Sequence, residues 1–283
     1  MKKLRLKSKI TIVLFSIIID LYCFFIFYNM YNSIYSPTTP PLDLAPVLKG
    51  TELSEQDYSL IFSQTGLAKP AIDDLLAEKD GKNKIFAYQN IYYTKHKLYT
   101  EKLNPFTLQE NIMVNKTKVN GPEDNDKIKI APLKNGDILL TKSTYTLYWR
   151  HGHCGIVIDA KKGTILESVE PGTISMYQNI SKWQTYATLK ILRLENVNQK
   201  KLDEIAQYAV KNLFGLKYGI FASKKQCNKL LSANCSQMIY QAYIHFGYDI
   251  DSNHGIFITP ENIAKSKLLS IVQIYGFNPS KDW

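Results

Sequence analysis

The chain has 283 residues, 45% of them hydrophobic, and 35 Lys and Arg against 25 Asp and Glu, a formal net charge of +10. That length excludes a chain too small to bury a core and suits one domain of ordinary size with appendages, since domains usually run to about 100–200 residues. The positive excess points to an anionic neighbourhood: nucleic acid, a lipid surface or an acidic cell-wall polymer.

"MKKLRLKSK" supplies Lys2, Lys3, Arg5, Lys7 and Lys9, and "ITIVLFSIIIDLYCFFIFYNMY" follows with Asp20 as its sole charge. Crossing the hydrocarbon as a helix takes about 20 apolar residues, and a positive flank stays on the cytoplasmic side. Residues 1–31 are therefore predicted to be a single-pass signal-anchor with a cytoplasmic N-terminus, in the cell membrane of a bacterial envelope, with the rest of the chain extracellular. A cleaved signal peptide fits less well, because the apolar stretch is long and Ser36-Pro37-Thr38 is a poor cleavage site. A carboxyl such as Asp20 at mid-membrane costs roughly a few kcal/mol. Cys23 falls in this segment, which leaves Cys154, Cys227 and Cys235, an odd number, to the remainder.

"SPTTPPLDLAP", Ser36 to Pro46, reads as an extended proline-rich tether. Ser54 is a helix N-cap with acidic residues after it, and Pro70 opens a second helix over 70–79. Tyr88 to Tyr99 has the aromatic and β-branched composition of a strand, and "NGPEDNDK" at 120–127 clusters turn formers and acids. Residues 32–130 are accordingly assigned to the tether and a small helical region, and 131–283 to the main domain.

Short apolar runs at 137–141, 153–159, 164–169 and 187–194 read as strands. "QKKLDEIAQYAVKNLF" spaces Leu202, Ile205, Ala206, Ala209 and Leu213 along one helical face. "NCSQMIYQAYIHFG" repeats that pattern, "TPENIAKS" opens a helix with Thr259 as N-cap and Pro260 at the first position, and "LLSIVQIYGF" closes as a strand. Strands with helices set among them indicate an α+β domain with a sheet packed on helices.

Three segments carry chemistry. Asn234 caps the helix that Cys235 opens, with Gln237 completing a capping-box-like pattern, and a helix start favours thiolate over thiol. A small cysteine continuing a core stripe with Ile239, Ala242, Tyr243 and Phe246 is the structural alternative. In "RHGHCGIVID" strand alternation separates His153 from Cys154 and groups it with Gly155 and Val157, so His153 is available to take a proton from a distant thiol. His151 shares that face if the strand begins early. In "GTILESVEPG" a hairpin brings Glu167 beside the His153 strand, where it would orient the imidazole, and Glu170 is the competing carboxylate. A zinc site drawn from His151, His153, Cys154, Cys227 and Cys235 lacks both Cys-x-x-Cys and His-Glu-x-x-His spacing.

"NGDILL", "HCGIVID", "ILESVEPGTI", "KYGIF", "CSQMIYQAY", "GYDID" and "TPENIAKS" together resemble the circularly permuted, papain-like NlpC-type hydrolases, in their YiiX/YebB-like branch. The resemblance covers about residues 131–275. It implies a permuted papain-like fold and a cysteine amidase or peptidase with Cys235 as nucleophile, His153 as base and Glu167 as the third polar residue. Tyr218 would line the substrate pocket, with a packed core tyrosine as the alternative. The expected substrate is a cell-wall peptide or a related amide. Lipid-linked amides or esters, or a silent wall-binding role, are the alternatives; no cofactor, metal or nucleic acid is implied. Gly219 stands where Asp is common in this family, Ser168 where Ala is usual, and Cys154 where an aliphatic residue is usual. A Cys154–Cys227 disulfide would leave Cys235 free.

Overall fold

A computed structural model describes residues 2–31, 34–50, 52–94, 98–102, 111–115, 127–145, 150–224 and 232–283. In chain order its elements are α1 (Lys2–Tyr31), α2 (Ala45–Lys49), α3 (Glu55–Thr65), α4 (Lys69–Leu76), α5 (Gly81–Tyr93), β1 (Leu98–Lys102), β2 (Asn111–Asn115), β3 (Ile138–Thr141), β4 (Thr144–Tyr145) and β5 (His153–Asp159). They continue with β6 (Thr164–Glu167), β7 (Met176–Asn179), α6 (Ile180–Trp183), β8 (Leu189–Leu194), α7 (Gln199–Leu213), β9 (Lys217–Tyr218), β10 (Ser232–Ala233), α8 (Cys235–Ile244), α9 (Pro260–Ala264) and β11 (Leu269–Tyr275).

A six-stranded sheet of order β11-β8-β3-β5-β6-β7, antiparallel at every step, organises the chain. Alternation sends its side chains to two cores. Ile138, Leu140, Cys154, Ile156 and Leu192 face α7 and α8, whereas Leu139, Val157, Ile165, Leu189 and Ile191 face α3–α5 and Trp183. The architecture is α+β, and α3–α5 cover one face of the sheet. Arg193 fastens them: its Nε and Nη2 donate to the two carboxylate oxygens of Asp137 at 2.7 and 2.8 Å, and Nη1 reaches Asp74 on α4 at 3.0 Å. The turn before β3 also ties down α8, because Tyr243 on that helix donates its hydroxyl hydrogen to the Gly136 carbonyl.

Local signals set most helix starts. Ser54 and Thr259 both form reciprocal capping boxes, with Asp57 and Asn262 respectively. The strand-like composition of Tyr88 to Tyr99 yields instead to helix as far as Tyr93, because Ile85, Tyr88, Gln89 and Tyr92 recur at helical spacing and are all buried.

The single-pass anchor needs correcting. Among the described residues no helix is long and apolar enough to cross a membrane. Charges interrupt α1: the uncharged run between Lys9 and Asp20 is residues 10–19, ten in all. At 1.5 Å per residue that is about 15 Å of helix against a hydrocarbon core of about 30 Å. The extracellular placement and the cell-membrane location, which rested on that anchor, fall with it.

Candidate active site

His153 opens β5 and is 2% exposed. Its ring stacks on Trp183 with centroids 5.5 Å apart and planes at 20°. Gly155, next on the same face, makes room for this: a Cβ there would lie 2.6 Å from Ile165 Cγ2 and 3.1 Å from Trp183 Cζ2. On the neighbouring strand Glu167 is paired with Gly155, so its carboxylate emerges on the His153 face, diagonal to the imidazole.

The Glu167 carboxylate is wholly buried and receives three donors. His153 Nε2 lies 3.1 Å from Oε2, Trp183 Nε1 donates to Oε2 at 3.2 Å, and Lys182 Nζ donates to Oε1 at 2.9 Å. An ionised carboxylate only accepts, so Nε2 carries the proton and Nδ1 is left for the thiol. Burial opposes charge on Glu167, but His153 and then Lys182 outweigh it and hold its pKa down at about 2.

Cys235 is the first residue of α8, behind Asn234, whose Oδ1 accepts from the Gln237 backbone N–H at 2.9 Å. Only half of the anticipated capping box forms, since the Gln237 side chain donates to the Ser223 carbonyl at 3.5 Å instead of returning to the cap. The segment leading to Cys235 is held from two sides. Ser168, just past β6, donates to the Ala233 carbonyl at 3.0 Å, and β9 pairs Tyr218 with Ala233. Gly219 donates its backbone N–H to the same carbonyl at 3.2 Å, and a Cβ on it would stand 2.6 Å from Ser232 Oγ. Any larger side chain at 219 would have to displace Ser232.

Cys235, His153 and Glu167 therefore meet at one end of the sheet. Hydrogen bonding from the Cys154 side chain and then from His153 outweighs burial and places the Cys235 pKa well below that of an ordinary thiol. Burial opposes charge on His153, but the hydrogen bonds to Cys235 and Glu167 prevail and raise its pKa. Both shifts favour the thiolate–imidazolium form of the pair. Burial, followed by the neighbouring Cys235, pushes the Cys154 thiol well up, so that it stays protonated and donates.

Cys154 is a site neighbour that sequence reasoning assigned to the core or to a disulfide. It is a free buried thiol, and Cys227 lies outside the described residues. The alternation that turns Cys154 away from His153 turns it toward the sheet face on which α8 packs, and that was the available signal. Lys182 and Trp183 were also missed; they sit on a four-residue helix with no periodicity to read. Tyr218 stands beside the Cys235 segment, partly buried. His151 is close enough to feel both Cys235 and His153, and burial holds its pKa down. Glu170 lies in the turn after β6, where its main-chain carbonyl accepts from Thr173. Among the described residues no group of three or more His, Cys, Asp or Glu side chains could hold a metal ion.

Fold and site define a mixed α+β protein with a thiol, an imidazole and a carboxylate gathered at one sheet end. The chain is similar to the uncharacterized protein YycO of Bacillus subtilis (strain 168), at 30% identity over 151 residues, covering 52% of this chain and 59% of that relative, less than two thirds of its length. It also resembles a solved structure, the metalloprotein yiiX from Escherichia coli O157:H7, DUF1105, with a TM-score of 0.41 and 16% identity over 50% of this chain and 97% of that one. No family model matches the sequence.

Proposed function

We propose that the chain is a thiol hydrolase of the circularly permuted papain-like NlpC type, cleaving an amide in a cell-wall peptide or a related compound. The observation that carries this reading is the pairing of Cys235, at a helix start, with a His153 that Glu167 holds in one tautomer. The Cys235 thiolate attacks the carbonyl carbon, forming a C–S bond and a tetrahedral oxyanion that the backbone N–H of Cys235 can meet. Imidazolium His153 gives its Nδ1 proton to the departing amine as the C–N bond breaks. Neutral His153 then takes a proton from water, whose oxygen attacks the acyl-enzyme. Release of the acid restores the thiolate–imidazolium pair.

A second reading, an esterase or acyltransferase acting on lipid-linked substrates, is favoured by Ile220, Phe221, Ile256 and Phe257, which are 58%, 83%, 62% and 48% exposed. The two segments that carry them are joined by a hydrogen bond from the Lys224 N–H to the Ile256 carbonyl at 3.0 Å, just beyond Tyr218 and Gly219.

The test assays the full chain against purified wall peptides and lipid esters, with Cys235→Ala alongside. Turnover lost in the variant supports the mechanism, and turnover that survives it refutes the mechanism. Iodoacetamide should label Cys235 at rates that hold steady well below pH 8.5, where an ordinary thiol slows.

A further inference from the structure

Two lysines lie deep beside this site with no counter-charge in contact. Lys142 is 7% exposed and Lys190 is 1% exposed, and among the described residues neither forms an ion pair. Lys142 Nζ rests over the rings of Phe277 and Trp283, 5.1 and 5.2 Å from their centroids, and no hydrogen-bond acceptor meets it among the described residues. Lys190 Nζ sits 5.2 Å from the Phe277 centroid and donates to the Asp282 carbonyl. Burial and then repulsion from Lys190 lower the Lys142 pKa to about 8, with Lys281 and Arg150 adding to the repulsion and Glu261 opposing it; burial lowers that of Lys190 to about 8 against Asp282. Two buried ammonium groups sharing one aromatic ring are costly unless an anion joins them.

Their position ties them to the nucleophile. Leu140 is the cross-strand partner of both Cys154 and Lys190, so Lys190, Leu140 and Cys154 form one row on the sheet face that packs against α8. Two strand spacings make that row about 10 Å long from Lys190 to Cys154, which adjoins Cys235. Thr141 is paired with His153, so Lys142 follows at the same sheet end. Gly152, just before His153, packs under Trp283: a Cβ on it would lie 2.8 Å from the Trp283 ring.

We propose that Lys142 and Lys190 form a subsite for an oxyanion, a carboxylate or phosphate that the substrate carries beside the carbonyl attacked by Cys235, at the same end of the sheet. The proposal rests on the hydrolase reading and narrows its substrate to amides or esters bearing an anionic group on one side of the scissile bond. Phe277 and Trp283, whose faces already hold the ammonium groups, would keep water from them.

The experiment titrates the full chain with inorganic phosphate and with acetate by calorimetry, in the native sequence, in Cys235→Ala, and in Lys142→Met, Lys190→Met and Lys142→Arg. Binding should weaken about tenfold or more in each Met variant and return in Lys142→Arg. Phosphate binding without acetate binding assigns the subsite to a phosphate, and binding of both admits a carboxylate. Should Lys190→Met fail to fold, Lys142→Met and its arginine rescue carry the test. Absence of anion binding in the native chain, or equal affinity in native and Lys142→Met chains, overturns the subsite. Binding that persists in Cys235→Ala keeps this outcome separate from the thiol chemistry, which its own turnover assay decides.

Discussion

Glu167→Gln tests whether the carboxylate holds both the imidazole and the fold. Glutamine matches its volume but cannot accept at both heads, so its amide must turn an N–H toward Lys182, Trp183 or His153, each a donor to the present carboxylate. Lys182, whose side chain is 28% exposed, can turn to solvent; His153 and Trp183 cannot. The fall of the Glu167 pKa from an ordinary 4.5 to about 2 corresponds to about 3 kcal/mol of stability. Because the folded-state pKa is depressed, that stability is present above about pH 4.5 and is lost as pH falls toward 2. Urea unfolding followed from pH 7 down to 3 should show Glu167→Gln about 3 kcal/mol less stable at neutral pH, with the gap narrowing on acidification. His153 also loses an acceptor that raises its pKa, so iodoacetamide labelling of Cys235 at neutral pH should slow. A variant that matches the native chain in both unfolding and labelling across this range refutes the triad geometry.

Two further substitutions probe the supports of the site. Gly155→Ala brings a Cβ to 2.6 Å from Ile165 Cγ2 and 3.1 Å from the Trp183 ring, so unfolding should show a loss of about 1–3 kcal/mol, and Cys235 labelling should slow as Trp183 moves from beneath His153. Ser168→Ala removes the donor at 3.0 Å from the buried Ala233 carbonyl. Because the Gly219 N–H still meets that carbonyl, a loss of about 0.5–1.5 kcal/mol is expected, together with faster amide exchange across Ala233 to Cys235.

The difference between what was legible in the sequence and what was not follows the range of the interactions. His153, Gly155 and Val157 share a face because a strand alternates, and Glu167 joins them because a tight hairpin fixes its register; both are local rules. Capping at Ser54, Asn234 and Thr259 is local as well. The partners of Glu167 on α6 and the second thiol beside Cys235 depend on which element packs against which face, and no spacing within either segment encodes that. The same holds for Lys142 and Lys190, which acquire a shared environment only when the Phe277–Trp283 segment crosses the sheet end. In Tyr88 to Tyr93 the burial of Ile85, Tyr88 and Tyr92 on one stripe outweighs a β-like composition, because packing sets the period that residue type alone leaves open.

The anchor failed for a related reason. Composition over the first thirty residues is apolar on average, but Lys9 and Asp20 leave an uncharged run of ten residues between them, and among the described residues no helix is long and apolar enough to cross a membrane. The chain carries a net charge of +10. Part of it is neutralised locally, as where Lys182 meets Glu167 and Arg193 meets Asp137 and Asp74. Lys142 and Lys190 are the members of that excess that the fold buries beside the nucleophile without such a partner among the described residues, at the cost of lowered pKa values. Charge held in place at that cost argues for a ligand of opposite sign.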